Sequence, residues 1–153
     1  MDASRRILEV VGAVIRQGDR YLVGQRPPGK AQAGLWEFVG GKIEPGETPR
    51  EALARECREE LALELRNVRE SGSVTHEYPE KTVHLTLFAC EPAAGSVPRA
   101  CEHQAIRWVT RAEMADLPFC AADRELIARL FGHAGGGGEL VDPPGLEPRT
   151  KGL

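Results

Sequence analysis

No stretch of this 153-residue chain is an apolar run of about 18 residues, the length a membrane-spanning helix needs. The N-terminus, Met1-Asp2-Ala3-Ser4-Arg5-Arg6, lacks the apolar core and small-residue cleavage site of a secretory leader, and runs into a β-like stretch. The four cysteines, Cys57, Cys90, Cys101 and Cys120, form no CxxC pair. That spacing argues against a zinc site, and a reduced, cytoplasmic protein is expected. A dominant charge is also missing. The net charge is -3, and no basic stripe with interleaved aromatics occurs, so stable nucleic-acid binding and attraction to an anionic membrane are not expected. An anionic substrate would need a local positive site, made by a metal and a few basic side chains.

What is present is ordinary for one domain with a proper core: 41% apolar and 28% charged residues. Residues 7 to 15 are rich in β-branched side chains and read as a buried strand. Gln17-Gly18-Asp19 is a turn, and Arg20 to Gln25 a returning strand. Arg26 to Gly34 holds Pro27, Pro28, Gly29 and Gly34 and reads as a loop. Leu35 to Val39 reads as a short strand leading into a glycine-rich turn, Gly40 to Gly46. Thr48-Pro49-Arg50-Glu51 then opens a helix that runs to about Leu61. Thr48 caps it, Pro49 suits its first position and Glu51 completes a capping box. Leu53, Cys57 and Leu61 make its apolar stripe.

Further strands are expected over 65–77, 82–90 and 105–109, with Val83 to Phe88 alternating as a half-buried strand. Ala121 to Phe131 reads as a second amphipathic helix, with Leu126, Ile127, Leu130 and Phe131 on its apolar side. The mixture predicts an α/β protein, a mixed sheet flanked by helices, over residues 5–132. From 133 to 153 a four-glycine run and Pro143, Pro144 and Pro148 predict a flexible tail. No internal repeat is visible.

The first helix carries the chemistry. Glu56, Glu59 and Glu60 lie three and four residues apart, which puts their carboxylates on one face. Such close like charges repel, and a divalent cation relieves the repulsion. Hard oxygen donors suit Mg²⁺, with Mn²⁺ as a substitute, and Mg²⁺ commonly bridges carboxylates to substrate phosphates. The residues therefore point to a metal-dependent enzyme acting on a phosphorylated small molecule.

The segment Gly41 to Leu63 resembles the signature of the Nudix hydrolases. Gly41, Glu47, Arg55, Glu56, Glu59 and Glu60 all match, and Ala62 departs where the family usually has glycine. That position ends the helix, where left-handed geometry is often needed. Leu35-Trp36-Glu37-Phe38-Val39-Gly40-Gly41 looks like the MutT-type branch, and Arg26-Pro27 with Ala33 to Phe38 also looks like its CTP pyrophosphohydrolase relatives. The resemblance implies an α/β/α sandwich. It also implies hydrolysis of a nucleoside triphosphate to monophosphate and pyrophosphate, as in the removal of 8-oxo-dGTP. CTP or a modified pyrimidine nucleotide is the alternative substrate, and ADP-ribose-type diphosphates a further one. A non-catalytic nucleotide sensor is the alternative of a different class, though such domains usually lose the glutamates kept here.

The resemblance also implies roles. Glu56, Glu59 and Glu60, with the backbone carbonyl of Gly40, would hold Mg²⁺, which polarises an attacking water. Arg55 would orient a catalytic carboxylate, Glu47; a plain helix pair with Glu59 or Glu51 is its bland alternative. Arg26 and Lys42 are candidate phosphate contacts. Glu102, in Glu-His-x-x-x-x-Trp, would be a further metal ligand or general base, while His103 beside it reads as surface structure. Asp123 would read the base, or serve its helix as N-cap or first-turn residue. Trp36, Phe38, Tyr78 and Phe119 could stack on the base, or belong to the core. The partner is a nucleotide, and the chain is a monomer or homodimer.

Overall fold

The computed structural model describes residues 6–131. The expected tail, residues 133–153, lies outside them. The elements are β1 (Arg6–Gln17), β2 (Arg20–Gln25), β3 (Trp36–Glu37), β4 (Val39–Lys42), α1 (Pro49–Leu61), β5 (Leu65–Glu77), β6 (Lys81–Pro92), β7 (Ala105–Val109), α2 (Arg111–Met114) and α3 (Ala121–Leu130).

β1 organises the sheet. It runs parallel to β6 from Arg6↔Lys81 to Ile15↔Cys90 and antiparallel to β4 through Val10↔Lys42 to Ala13↔Val39. Its last residues, Arg16 and Gln17, pair with β2. The order is β3-β2-β1-β6-β5, with β4 joined to β1 and β7 to β2. A strand covered on both faces needs apolar side chains at successive positions, which the run Val11 to Ile15 allows. Val11, Ala13 and Ile15 enter one core with Leu53, Cys57 and Leu61 of α1. Val14 enters the other, with Leu126 and Phe131 at α3. The result is a mixed sheet between helices, as expected.

α1 begins as its sequence predicts. Glu51 N–H donates to Thr48 Oγ1 at 3.1 Å, and Thr48 N–H to Glu51 Oε1 at 2.9 Å. It ends at Ala62 in the left-handed region, φ 53°. The chain keeps the geometry that a glycine would take more easily.

Two local expectations change. The expected strand Leu35 to Val39 is split at Phe38, whose N–H donates to Asp123 Oδ1 at 3.0 Å rather than to a neighbouring strand. Gly40 and Gly41 are not in a turn but in β4, and a Cβ on Gly40 would collide with the Val11 carbonyl. The turn comes later, where Glu47 N–H donates to Glu44 O at 3.0 Å, with Gly46 at φ 83°. In β6 the expected alternation holds from His84 to Leu87, with Leu85 and Leu87 buried and His84 and Thr86 only partly so; beyond it Phe88, Ala89 and Cys90 are also buried, because β6 lies between β1 and β5 with a core on each face. The short helix α2 was not anticipated, although Thr110 and Glu113 repeat the capping box of α1.

Candidate active site

The split at Phe38, the glycines of β4 and one face of α1 together border a cavity of about 610 Å³. Helical periodicity sends Leu53, Cys57 and Leu61 into the core, which leaves the acidic face of α1 toward this space. Glu56, Glu59 and Glu60 all line it, as do Gly40, Lys42, Arg26, Glu102, Phe38 and Asp123. Tyr78 and Glu47 are not among its lining residues, nor are Trp36 and Phe119, both core residues.

Arg55 is the hub of the helical face. Its Nε lies 2.6 Å from Glu47 Oε2 and its Nη2 3.0 Å from Glu47 Oε1, a two-point grip. Nη1 reaches Glu56 Oε2 at 3.1 Å and Glu59 Oε1 at 3.3 Å, and Nη2 also donates to Lys42 O at 3.0 Å. The grip holds the Glu47 carboxyl below the usual carboxylate range, helped by the Glu44 amide, and raises the Arg55 pKa further. Arg55 thus pairs with Glu59, as the bland alternative had it, but with Glu47 more closely.

The three helical glutamates differ in setting. The side chain of Glu59 is 53% exposed, that of Glu60 only 11%. Burial, followed by the hydrogen bond that protonated Glu60 donates to Glu56 and the charges of Glu56, Glu37 and Glu102, pushes the Glu60 carboxyl well above the usual range. Glu56 packs against β4, where a Cβ on Gly41 would collide with its carboxylate. Carboxyl groups crowded in this way fit a divalent cation, which would offset their mutual repulsion.

A second cluster of ionisable side chains includes two that line the same cavity, Glu37 and Asp123. Glu37, Cys120 and Asp123 place one ligand atom each within 4.8 Å of one another. This set suits Mg²⁺ less well than the helical face, because one of its three donors is the Cys120 thiol, a soft ligand, where Mg²⁺ prefers oxygen. Glu37 is committed elsewhere, with Oε1 3.1 Å from Arg26 Nη1 and Oε2 3.0 Å from His103 Nε2. Asp123 lies in the first turn of α3 but does not cap it; the N-cap residue is Cys120.

His103 corrects an expectation. It is not a surface residue: its side chain is 4% exposed, because the loop before β7 folds it over Gly24. Glu102 beside it is exposed and lines the cavity. Tyr78 follows β5 and packs its ring at a tilt against that of His76, with centroids 4.5 Å apart. Burial, then the charge of Asp123, raises its hydroxyl pKa. Glu37 and Lys30 also line the cavity and were not singled out from the sequence. An acid between two buried aromatics was the available signal for Glu37. His103 had none, because its seat depends on a glycine in a distant strand.

The NUDIX domain family matches residues 10–129. The CTP pyrophosphohydrolase of Escherichia coli is 39% identical over 122 residues, covering 80% of this chain and 90% of that one. The 8-oxo-dGTP diphosphatase of Haemophilus influenzae is 34% identical over 129 residues, covering 83% and 93%. The solution structure of the E. coli ORF135 protein superposes with a TM-score of 0.69 at 38% identity, covering 82% of this chain and 89% of that one. With the acidic helix face and the α/β/α architecture already established, these likenesses show that the chain belongs to the Nudix hydrolases, among their MutT-like members.

Proposed function

We propose that this chain is a Mg²⁺-dependent pyrophosphohydrolase of nucleoside triphosphates. It would convert a triphosphate and water to monophosphate and pyrophosphate, and remove oxidised nucleotides such as 8-oxo-dGTP. One observation carries the reading. The acidic face of α1 and the buried Asp123 open onto the same cavity, and Arg26, Lys30 and Lys42 line it with them. A triphosphate requires all three: a cation site, basic phosphate contacts and a polar group for the base.

Glu56, Glu59 and Glu60, with the Gly40 carbonyl, would hold Mg²⁺, which when bound neutralises phosphate charge and acidifies water. Arg55 holds Glu56 and Glu59 to one face, and Glu47 acts through Arg55 by fixing its guanidinium. Glu102 accepts the proton that the attacking water loses. The new P–O bond forms as the anhydride P–O bond between the α- and β-phosphates breaks, and the electron pair of the broken bond leaves with the displaced phosphate group, so that monophosphate and pyrophosphate are the products. Arg26 and Lys42 bind the phosphate chain. Phe38 and Asp123 meet the base, with Asp123 accepting from an amine when ionised and donating to a carbonyl when protonated. Four free cysteines support a reducing, cytoplasmic setting.

A second reading, hydrolysis of CTP or a modified pyrimidine triphosphate, is favoured by the relative of that name at 39% identity. The ratio of kcat/KM for 8-oxo-dGTP to that for CTP and 5-methyl-dCTP separates the two. A ratio above about 10 supports the first reading. A ratio below 1 replaces it with the second.

A further inference from the structure

His103 lies between Glu37 and Glu60. Its Nε2 is 3.0 Å from Glu37 Oε2 and 3.8 Å from Glu60 Oε1. Glu37 is paired with Arg26 and so accepts, which makes Nε2–H the donor. The other ring nitrogen, Nδ1, is buried without a hydrogen-bond partner. A buried unpaired nitrogen is unfavourable, and an apolar ring of the same shape would avoid it. Packing alone therefore does not explain a histidine here.

The surroundings fix the ring. A Cβ on Gly24 would lie 2.6 Å from His103 Cδ2 and 2.8 Å from Cγ and Nε2. Gly24 pairs with Glu37 across β2 and β3, so the missing side chain makes the room that lets the ring reach Glu37. The backbone is tied on both flanks, with Cys101 N–H donating to Glu60 O at 3.1 Å and Gln104 N–H to Gln25 O at 2.9 Å. Glu37 passes the constraint on: its Oε1 takes Arg26 Nη1, while Arg26 Nε donates to Ala31 O at 2.6 Å across the loop.

We propose that His103 is a positioning residue, which from its seat over Gly24 holds the Glu37 carboxylate and through it sets the Arg26 guanidinium for the phosphate chain. The inference rests on the reading of Arg26 as a phosphate contact. Arg26 with one loop bond and a free-swinging glutamate would present its donors in many orientations, and ordering them would weaken binding.

The test compares His103→Phe, His103→Gln and Gly24→Ala with the wild type. Steady-state kinetics are run on the preferred triphosphate, and Mn²⁺ binding without nucleotide is followed by electron paramagnetic resonance. His103→Phe keeps the ring volume and loses the donor, so KM rises about tenfold while kcat stays within about threefold. His103→Gln, whose amide can donate from the position of Nε2, restores KM to within about threefold of wild type. Gly24→Ala pushes the ring away and reproduces the KM rise with no polar group removed. Mn²⁺ affinity is unchanged in all three. An unchanged KM in folded His103→Phe overturns the proposal. So does a KM in His103→Gln as high as in His103→Phe, or a loss of Mn²⁺ affinity that accounts for the defect. If His103→Phe does not fold, Gly24→Ala carries the test, and a wild-type KM there overturns the proposal. A wild type inactive on every triphosphate overturns the substrate reading and this inference together; an active wild type with His103→Phe at wild-type KM overturns the inference alone.

Discussion

Arg55 grips Glu47 by both carboxylate oxygens, at 2.6 Å and 3.0 Å, across the turn that separates β4 from α1. The pair ties the middle of the acidic helix to the turn before it and to β4, since Arg55 also donates to the Lys42 carbonyl. Lysine cannot reproduce the planar two-point grip. Arg55→Lys is therefore expected to lower kcat about 100-fold while circular dichroism stays native. A kcat within threefold of wild type would reduce Arg55 to an ordinary helix pair.

Glu60 makes a prediction about stability rather than rate. Its buried carboxyl is disfavoured as an anion without a cation, so Mg²⁺ should bind the folded chain and raise its Tm. Glu60→Gln removes the buried acid. The metal-free variant should be at least as stable as wild type, while the Mg²⁺-induced rise in Tm shrinks. Differential scanning calorimetry with and without Mg²⁺ checks both; an undiminished rise would place the cation elsewhere.

Asp123 predicts a pH dependence of stability. Its folded pKa is raised from 3.8 to about 7, by burial first, with the Phe38 amide opposing. The folded chain then binds this proton more tightly than the unfolded chain. The associated stability is fully present below about pH 4 and is lost as pH rises through about 7. Asp123→Asn has no such proton and keeps an oxygen for the Phe38 amide. Relative to Asp123→Asn, wild type should lose on the order of a few kcal/mol between pH 4 and pH 8, measured by urea unfolding. Parallel pH curves would show that Asp123 titrates normally.

Ala62 holds a left-handed conformation, φ 53° and ψ 40°, at the end of α1. Ala62→Gly should stabilise the chain by about 1 kcal/mol, with kcat within about twofold of wild type. Urea denaturation gives the first number directly. A destabilised glycine variant would mean that the alanine methyl packs usefully there.

The parts legible in the sequence are those written locally. α1 was readable at both ends, because Thr48, Glu51 and the Leu53-Cys57-Leu61 stripe act within a few turns of one another. The acidic face followed from the same periodicity, and the spacing of Glu47 and Arg55 within the Nudix signature foreshadowed their contact. What was not legible depends on distant chain. Gly40 and Gly41 read as a turn because the collision that requires them is with Val11 and Glu56. Phe38 breaks its strand for Asp123, 85 residues away. His103 reads as a surface histidine until Gly24 makes room for it. α2 was different: Thr110 and Glu113 carried the signal, and a single turn was too short to stand out by periodicity.

The most direct test of the account is product analysis on the wild-type chain with Mg²⁺ and a panel of nucleoside triphosphates, including 8-oxo-dGTP, CTP and 5-methyl-dCTP, with ADP-ribose alongside. The account predicts monophosphate and pyrophosphate in equal amounts from at least one triphosphate, and loss of both products with Glu59→Gln. Silence on every triphosphate, with ADP-ribose cleaved to its monophosphates, would contradict it.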